Sequence, residues 1–507
     1  MTSFAFLLTL LDTLIKISVQ NSFGGKNMTL AKLLEGIKIL STNVDLSIDI
    51  LDIKINSQSV EDGDIFVCMK GVKDDGNKYL DSIKKNFVAI TEIIPQNKEI
   101  KYVQVEDVRK AYALMSSNYF AHPLEGMKFV AVVGTNGKTS TAHYINSILT
   151  TCGLKTGLIG TEGHYILGEK VSNSLTTPDP YEMNSLLFKM RAKGVEVVIS
   201  EVSAHAIHLR KMTGIRADIA VLTNISQDHL DYFKDYQKYE DTKLGYFVAE
   251  NVAKAIVNVD DNAGKKLAAR IEKSGVELVT FGLNNPADCF AIDVYEGIDG
   301  IHFVANLCDD LVDIRSSLYG EFNVYNLLAA LSVCAELGIH GEVLAKAVRK
   351  VRNVKGRFSV LRAEKGTIII DYAHTPDGLQ QLLRTARTIT KSRLITVFGC
   401  GGERDSAKRA LMGEIAENYS DYVVVTTDNP RGENVENILH DIEMGFAGRN
   451  YKCIPDRTEA IIHAIGEMVE GDTVVIAGKG NEEYLEVKGK KIPYSDFDIA
   501  RRWGQAK

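Results

Sequence analysis

The fold is decided by the stretch Ala131-Val-Val-Gly-Thr-Asn-Gly-Lys-Thr-Ser140, an apolar run that breaks into a glycine-rich turn and then a helix-compatible segment. Glycines let backbone N–H groups turn toward an anion, and the N-terminus of the next helix adds its dipole. Lys138 places a cation on outer phosphates, and the Thr139 hydroxyl can bind Mg²⁺. The stretch therefore predicts a phosphate-binding loop, although Val132 stands where the common G-x-x-x-x-G-K-[ST] pattern has its first glycine.

Length and composition limit the classes of protein. A chain of 507 residues is too long for one core, and about three domains are expected. The net charge of -7 argues against a general nucleic-acid binder. The seven cysteines are scattered without C-x-x-C spacing, so the sequence predicts neither a disulfide framework nor a zinc site, and a reducing cytoplasm fits best.

The N-terminus is apolar between Phe4 and Ile17. Asp12 and Lys16 interrupt the run, and it lacks a basic n-region and a small-residue cleavage site, which argues against export or membrane insertion. A second methionine, Met28, begins a segment whose pattern predicts an amphipathic first helix. We expect residues 1–27 to be an upstream extension of unknown role that results from a misplaced start codon.

Strands and helices alternate along the rest of the chain, which predicts an α/β protein. Three domains are expected: residues 28–122, a small N-terminal α/β domain; residues 123–353, a central P-loop ATPase-type parallel sheet wrapped by helices; and residues 354–507, a Rossmann-like α/β domain. Short strands between about 278 and 320 suggest an antiparallel segment in the central domain. In open α/β sheets, ligands bind beyond the carboxyl ends of the strands.

Metal-capable groups follow the phosphate loop. Glu201 ends a predicted strand, and with Thr139 it offers the hard oxygen ligands that Mg²⁺ prefers. His229 is a less expected ligand for Mg²⁺, and Lys243 cannot bind a metal while it is an ammonium. Taken singly, His229 and Lys243 are as well explained by ordinary core or surface positions.

The order of these segments gives a resemblance to a known family. Along nearly the whole chain after Met28, the sequence resembles the Mur ligases, and within them the members that add the third residue of the peptidoglycan stem peptide. The motifs that carry the resemblance are Gly134-Thr-Asn-Gly-Lys-Thr-Ser140, Thr176-Thr-Pro178, Glu201-Val-Ser, Asn224-Ile-Ser-Gln-Asp-His-Leu-Asp231, Tyr239-Glu-Asp-Thr-Lys243, Gly320-Glu-Phe-Asn-Val-Tyr-Asn326, Gly356-Arg-Phe358, Asp371-Tyr-Ala-His-Thr-Pro-Asp377 and Gly399-Cys-Gly-Gly-Glu-Arg-Asp405.

The resemblance implies an ATP-dependent ligase. The carboxylate of a UDP-N-acetylmuramoyl dipeptide attacks the γ-phosphate of ATP, and an amine then displaces phosphate from the acyl phosphate. Lys138, Glu201, His229 and Lys243 would be catalytic. By analogy Thr139 and Glu201 hold one Mg²⁺, whereas His229 and a carbamylated Lys243 serve a second. The implied ATP-binding residues are Gly134, Thr135, Asn136, Gly137, Lys138, Thr139, Ser140, Asn323, Asn326, Arg357, Asp371 and His374.

The resemblance also assigns the two other substrates. Ser57, Thr176, Thr177, Ser203 and Lys211 would bind the UDP-muramoyl peptide. Here Gln58 replaces the family's arginine, and whether Arg210 or Lys211 makes the substrate contact stays open. Asp428-Asn-Pro-Arg431 implies meso-diaminopimelate, because a guanidinium binds a second carboxylate that lysine lacks. The implied diaminopimelate pocket comprises Arg404, Asp428, Asn429, Pro430, Arg431, Gly478 and Glu482, with Asn481 in place of the usual histidine.

Several alternatives remain at this point. The same reaction could use L-lysine or another diamino acid, the chain could be a folylpolyglutamate synthetase, or it could be a catalytically inactive nucleotide-binding paralogue. The N-terminal domain, residues 28–122, to which the resemblance assigns UDP binding, argues against the second. Intact Lys138, Glu201, His229 and Lys243 argue against the third. We expect a cytoplasmic monomer that binds neither nucleic acid nor membrane.

Overall fold

The structure, a computed structural model, describes residues 28–71, 74–297 and 299–504. The predicted extension at residues 1–27 lies outside this range. The strands are β1 Ile39–Thr42, β2 Ile53–Lys54, β3 Ile65–Val67, β4 Val88–Thr91, β5 Lys101–Val105, β6 Lys128–Val133, β7 Thr156–Gly160, β8 Gly163–Ile166, β9 Glu169–Ser172, β10 Val197–Val202, β11 Ala217–Leu222, β12 Val252–Asn258, β13 Glu277–Gly282, β14 Cys289–Gly297, β15 Gly300–Leu307, β16 Asp310–Ser316, β17 Ser359–Arg362, β18 Gly366–Asp371, β19 Leu394–Phe398, β20 Tyr422–Val425, β21 Tyr451–Cys453, β22 Asp472–Ala477, β23 Tyr484–Val487 and β24 Lys490–Pro493.

The helices complete an α/β architecture. The α-helices are α1 Leu30–Leu33, α2 Val108–Tyr119, α3 Lys138–Thr151, α4 Pro180–Ala192, α5 Ala204–His208, α6 Leu230–Phe233, α7 Tyr236–Leu244, α8 Asn262–Ile271, α9 Glu321–Glu336, α10 Gly341–Val348, α11 Pro376–Ile389, α12 Lys408–Tyr419, α13 Val435–Glu443, α14 Arg457–Gly466 and α15 Asp496–Gly504. Short 3-10 helices span Ser57–Ser59 and Gly76–Ser82. The predicted α/β class is confirmed.

The chain divides into two compact units. The first holds the residues through Phe129 together with Lys155–Val198 and Val202–Asp218, and the second holds Val130–Leu154, Ile199–Glu201 and the chain from Ile219 onward. These units do not follow the three predicted domains one by one. The domain boundaries after residues 122 and 353 therefore stay predictions.

The first unit is built on a five-stranded sheet in the order β1-β5-β4-β3-β2. Strands β5, β4, β3 and β2 run parallel, whereas β1 is antiparallel to β5. Apolar side chains of α1 and α2 pack on one face of this sheet, where Leu33, Val103 and Met115 are fully buried. The unit also contains the antiparallel strands β7, β8 and β9.

The second unit contains two sheets. In the first, the strands lie in the order β16-β15-β14-β13-β12-β11-β6, with β11 parallel to β6 and an antiparallel meander at β14, β15 and β16. The meander falls where the sequence predicted an antiparallel segment. Val130 to Val133 of β6 are fully buried, as expected for a parallel strand covered on both faces.

The second sheet of this unit has the order β17-β18-β22-β19-β20-β21. All its strands are parallel except β17, which pairs antiparallel with β18. Apolar clusters cover both faces, one around Leu383 and Phe398 and the other around Ile461 and Ile476. This is the Rossmann-like sheet expected for the C-terminal part of the chain. Within the described ranges, the structure contains no helix that is both long and apolar enough to cross a bilayer.

Candidate active site

The predicted phosphate loop joins β6 to α3. Gly137 caps α3 in the left-handed region, with φ 83°, and a Cβ there would lie 2.4 Å from Asn326 Oδ1. At Gly134, whose φ is 155°, a Cβ would lie 1.9 Å from Thr223 Oγ1. Both positions therefore require glycine. The first turn of the 14-residue helix α3 opens onto this loop, which is the geometry of an anion site.

Lys138 lies on the first turn of α3 and folds back over the loop. Its Nζ donates a hydrogen bond to the carbonyl oxygen of Thr135 at 2.8 Å. Burial lowers the pKa of Lys138, while the carboxylates of Glu201 and Asp228 act in the opposite direction. Lys138 Nζ is thus held at the loop by a hydrogen bond to a neutral carbonyl oxygen. A phosphate anion bound there would give the lysine an ionic partner.

The structure brings Thr139 and Glu201 together as predicted. Thr139 Oγ1 donates to Glu201 Oε2 at 2.8 Å, and Glu201 is fully buried. Mg²⁺ holds oxygen ligands at about 2.0 to 2.1 Å in octahedral geometry, which places neighbouring ligand oxygens about 2.9 Å apart. The spacing of these two oxygens therefore fits adjacent ligands of one Mg²⁺. Ser140, the next residue of α3, is also buried.

Lys243 lies in a closed polar pocket. Its Nζ donates to Thr135 Oγ1 at 3.1 Å and to the Tyr239 hydroxyl at 2.5 Å, and only 1% of the residue is exposed. Burial, with repulsion from Lys138, lowers the pKa of Lys243 well below its ordinary value. Burial and this repulsion therefore favour the neutral amine of Lys243 beside the phosphate loop, although the sequence alone would place it as a solvated cation.

His229 occupies a strained backbone position, with φ 55°. Its Nε2 lies 3.4 Å from Asp228 Oδ2, and its ring stands edge-on to that of Tyr239. His374 Nε2 lies 3.9 Å from the same carboxylate oxygen. Burial raises the pKa of Asp228, but His374, His229 and Lys408 outweigh it and lower that pKa overall. Asp228 is thus a carboxylate surrounded by three basic side chains.

The histidine and the lysine form an incomplete donor set. Among the residues that the structure describes, no group of three or more His, Cys, Asp or Glu side chains is assembled for a metal ion. His229 and Lys243 both contact Tyr239, at its ring and its hydroxyl. As a neutral amine, Lys243 offers nitrogen where Mg²⁺ prefers oxygen, so this pair fits the ion only if Lys243 becomes a carbamate.

Helix α9 supports the phosphate loop from behind. Asn326 Oδ1 accepts a hydrogen bond from Thr141 at 3.3 Å, and Asn323 Oδ1 accepts one from the Tyr144 hydroxyl at 2.9 Å. Asn326 also donates to Asn323 at 3.2 Å. Both predicted asparagines are buried and lie against α3. They fix the position of the loop.

The predicted C-terminal ATP residues lie in the same unit as the phosphate loop. Arg357 Nη2 lies 3.4 Å from Thr139 Oγ1, and its guanidinium stacks on the ring of Tyr372. Asp371 accepts the backbone N–H groups of Phe358 and Ala373, so both of its oxygens hold turns in place. Burial raises the pKa of Asp371.

One further contact ties the C-terminal sheet region to the loop, and a second holds His374 within that region. Asn136 Nδ2 donates to Asp377 Oδ2 at 2.8 Å, where Asp377 opens helix α11. Lys408 Nζ donates to the carbonyl oxygen of His374 at 2.7 Å. Burial, together with repulsion from Lys408, lowers the pKa of His374, which favours the neutral ring. A neutral imidazole can lie against a nucleoside without desolvating a charge.

The predicted amino-acid pocket forms at the ends of β20 and β22. Asn429 is its centre: its Nδ2 donates to Glu482 Oε2 at 2.9 Å, and its Oδ1 accepts from Lys479 Nζ at 3.0 Å. Lys479 is fully buried, donates to Glu482 Oε2 at 2.8 Å and lies 3.8 Å from Asp428. Asn429 thus organises the pocket through its own hydrogen bonds. Pro430 is buried in the same segment.

Arg431 is placed in this pocket but is already paired. Its Nε lies 3.2 Å from Glu486 Oε2, and its Nη1 donates to the carbonyl oxygen of Gly402 at 2.8 Å. Glu486 on β23 therefore gives the guanidinium an ionic partner within the protein. Gly478 has φ 115°, and a Cβ there would lie 2.8 Å from Asp428 Oδ2. Glycine therefore lets Asp428 approach this backbone.

Arg404 lies beside the same glycine as Arg431, since a Cβ at Gly401 would lie 3.6 Å from Arg404 Cγ and 3.0 Å from Arg431 Nη1. Arg404 Nη1 is 3.5 Å from Asp231 Oδ2, and nearly half of its side chain is exposed. Beside it, Gln227 donates to Asp405 Oδ2 at 3.0 Å. These two contacts join the segment that carries His229 to the segment after β19.

Four predicted muramoyl-peptide residues cluster in the first unit. Thr177 Oγ1 donates to Ser203 Oγ at 3.3 Å, and Lys211 Nζ lies 3.5 Å from the Thr177 carbonyl oxygen. Lys211 also pairs with Asp179 at 2.7 Å, and Thr176 Oγ1 lies 3.1 Å from that of Thr161.

The structure separates the two candidate cations of this region. Arg210 Nε instead pairs with Asp107 Oδ2 at 2.7 Å, at the start of α2. Lys211, rather than Arg210, therefore lies with the threonines. Ser57 lies in the 3-10 helix Ser57–Ser59, where Asn56 Oδ1 accepts the Gln58 N–H at 3.0 Å.

Comparison with known proteins identifies the family. Two models of this family match the sequence, the Mur ligase middle domain over residues 132–334 and the Mur ligase glutamate ligase domain over residues 356–480. The chain belongs to the Mur ligase family. A relative from Clostridium perfringens, named UDP-N-acetylmuramoyl-L-alanyl-D-glutamate--2,6-diaminopimelate ligase, is 37% identical over 482 residues, covering 93% of this chain and 98% of the relative.

Solved structures agree with this assignment to the Mur ligases. One, titled as a UDP-N-acetylmuramoyl-L-alanyl-D-glutamate--2,6-diaminopimelate ligase, has a TM-score of 0.68 and 28% identity, covering 94% of this chain and 98% of that one. The MurF ligase from Thermotoga maritima in complex with ADP has a TM-score of 0.60 at 21% identity, covering 84% and 93% of the two chains. The second likeness shows the fold alone.

In this Mur ligase, five residues of the site were missed by sequence reasoning: Asp228, Asp377, Lys408, Lys479 and Glu486. The first four lie inside or beside quoted motifs, so the signal was present but no role had been assigned to them. Glu486 lies four residues beyond Glu482, in a strand with no motif of its own. Only the pairing of that strand with the Arg431 segment reveals it.

Proposed function

We propose that this chain is an ATP-dependent ligase that joins meso-2,6-diaminopimelate to UDP-N-acetylmuramoyl-L-alanyl-D-glutamate through an acyl phosphate, in peptidoglycan biosynthesis. The names of the most similar relatives support this activity. The observation that carries the proposal is that one compact unit contains both the Thr139–Glu201 pair at a phosphate loop and a pocket with Arg431.

The phosphoryl-transfer step requires charge neutralisation and positioning. Backbone N–H groups of the loop and of the first turn of α3 donate hydrogen bonds to the phosphate oxygens of ATP. Lys138 exchanges its hydrogen bond to the Thr135 carbonyl oxygen for an ionic contact with a phosphate. Arg357 lies beside Thr139 and adds a second cation to the same place. The carboxylate of the dipeptide attacks the γ-phosphorus of ATP and ADP leaves. The resulting acyl phosphate is then attacked by the amine of the amino acid, with phosphate as the leaving group and loss of the amine's proton.

Mg²⁺ would be held by Thr139 and Glu201, and by His229 with carbamylated Lys243. When bound, it supplies positive charge to the phosphate oxygens and to the oxyanion of the tetrahedral intermediate. The neutral amine of Lys243 supports carbamylation, because CO₂ reacts with an unprotonated amine: R-NH₂ + CO₂ gives R-NH-COO⁻ + H⁺. The product carries the oxygen ligands that the amine lacks.

The muramoyl-peptide would be bound by Ser57 and by the cluster of Thr176, Thr177, Ser203 and Lys211. Lys211 supplies the cation there, since its Nζ lies beside Thr177, whereas Arg210 pairs with Asp107 at the start of α2. We further propose a cytoplasmic monomer. The seven cysteines are all free thiols, which agrees with a reducing compartment.

A diaminopimelate substrate is favoured over lysine by Arg431. Lysine would offer only an ammonium, so the donors of Arg431 that the protein leaves available would gain no carboxylate partner. L-Lysine or another diamino acid remains the alternative substrate. An inactive paralogue is a further alternative, against which the contacts of Lys138, Glu201 and Lys243 argue.

Phosphate release by the purified protein tests the proposal. We expect release from ATP only when both UDP-N-acetylmuramoyl dipeptide and meso-diaminopimelate are present, with L-lysine giving much lower rates in the same amino-acid panel. Release that requires neither the dipeptide nor an amino acid would indicate a simple ATPase. Faster release with lysine would move the assignment to the alternative substrate.

A further inference from the structure

The hairpin of β23 and β24 is fastened to the segment that carries Arg431. The Arg431 N–H donates to the carbonyl oxygen of Glu486 at 3.0 Å, and the Lys488 N–H donates to that of Arg431 at 2.6 Å. The Glu486 N–H donates in turn to Asn429 Oδ1 at 2.9 Å. The backbone of Glu486 is therefore fixed by the pocket itself.

The guanidinium of Arg431 is partly satisfied by the protein. Its Nε faces Glu486 Oε2 at 3.2 Å, and its Nη1 donates to the Gly402 carbonyl oxygen. Within residues 28–71, 74–297 and 299–504, Nη2 makes no hydrogen bond. Nη2 of the guanidinium therefore remains available for a ligand carboxylate, on a side chain that is 19% exposed.

The carboxylate of Glu486 offers the complementary group. Its Oε2 faces Arg431, while its Oε1 accepts no hydrogen bond from the described part of the chain, and the side chain is 30% exposed. An acceptor oxygen and a cationic donor thus lie side by side. By contrast, Oε2 of nearby Glu482 already accepts hydrogen bonds from Asn429 and Lys479.

We propose that Glu486 is a specificity-determining residue that binds the ammonium of an α-amino-acid head group while Arg431 binds the carboxylate of the same group. Such a head group carries both charges on one carbon, as the distal end of diaminopimelate does. Lysine has only the ammonium there, and a simple dicarboxylate analogue has only the carboxylate. This inference rests on the proposed function. It assigns to Arg431 and Glu486 together the preference of the amino-acid pocket for a head group that carries both a carboxylate and an ammonium.

A pair of amino acids tests this contact: meso-diaminopimelate and 2-aminopimelate, which has the same chain and distal carboxylate but no distal ammonium. For Glu486→Gln, we expect the KM for meso-diaminopimelate to rise about tenfold or more, whereas the constant for 2-aminopimelate, as substrate or competitive inhibitor, changes by less than about twofold. The KM for ATP should stay unchanged. Glu483→Gln is the matched control, because Glu483 precedes the same strand and faces Lys355 at the surface.

The variant Glu486→Asp distinguishes a direct contact between Glu486 and the substrate from a purely structural role in the hairpin of β23 and β24. Aspartate keeps the charge, so the rise in KM for meso-diaminopimelate should be smaller than with glutamine. Equal losses for both amino acids, or no change for either, would overturn the role of Glu486. Failure of the proposed function has a different signature, since the wild-type protein would then form no product from meso-diaminopimelate at all.

Discussion

Thr139 Oγ1 donates a hydrogen bond to Glu201 Oε2 at 2.8 Å, although the two residues are 62 positions apart in the sequence. Thr139 comes from the first turn of α3 and Glu201 from the end of β10, so the pair exists only because β10 delivers a carboxylate to the phosphate loop. The two oxygens have the spacing of neighbouring Mg²⁺ ligands.

This pair gives the first prediction. Glu201→Ala should abolish Mg²⁺-dependent turnover, because it removes the only full negative charge of the pair, and Thr139→Ala should weaken the apparent Mg²⁺ affinity about tenfold. The measurement is phosphate release against Mg²⁺ concentration. Thr242→Ala is the control, since its hydroxyl donates to the Lys238 carbonyl oxygen on the exposed side of α7. Unchanged Mg²⁺ dependence in both pair variants would remove the assigned ligands.

The second prediction concerns the pH dependence of Lys243 modification. Its pKa in the folded protein is lowered by burial and by Lys138, so the amine becomes neutral at a pH well below that of an ordinary lysine. Incorporation of ¹³C-labelled CO₂ should therefore rise as the pH rises through this lowered pKa, and fall again on acidification. Carbon NMR of the carbamate measures it, with Lys243→Arg as the blank. Labelling that starts only near the pKa of a free lysine would contradict the account.

The third prediction separates a steric clash from backbone strain. Gly137 and Gly153 border the same helix and have φ 83° and 93°, but a Cβ meets Asn326 Oδ1 at 2.4 Å only in the first. Gly137→Ala should weaken ATP binding at least about tenfold, whereas Gly153→Ala should lower only the stability, by about 1 kcal/mol. Calorimetric titration with a non-hydrolysable ATP analogue and thermal unfolding report the two effects. Similar ATP affinities in the two variants would show that the Asn326 contact is unimportant.

The fourth prediction assigns amino-acid selection to Arg431. Arg431→Ala should raise the KM for meso-diaminopimelate by about tenfold to a hundredfold, because a charge-assisted hydrogen bond to its carboxylate is lost, while ATP binding is retained. Steady-state kinetics with each substrate varied in turn measures this. Arg502→Ala, an exposed position on α15, serves as a charge-matched control. An unaltered KM for the amino acid would remove Arg431 from the pocket.

The motifs predicted the α/β fold class, because strand, turn and helix signals are local in the sequence. Thr139 and Glu201 were expected to share a metal ion because of their residue types, and the structure brings them together although 62 positions separate them. The approach of Asn326 to Gly137 was not predicted, because it depends on how α9 packs against the phosphate loop. The protonation of Lys243 could not be predicted, since it depends on burial under Tyr239 and Thr135. Glu486 was missed for a related reason: it reaches Arg431 through pairing between distant segments, which no spacing in the sequence records.

Mass spectrometry of the reaction product tests the central claim most directly. The purified protein, incubated with ATP, Mg²⁺, UDP-N-acetylmuramoyl-L-alanyl-D-glutamate and meso-diaminopimelate, should give the UDP-N-acetylmuramoyl tripeptide with one ADP formed for each new amide bond. The formation of ADP without tripeptide, in the presence of all substrates, would contradict it.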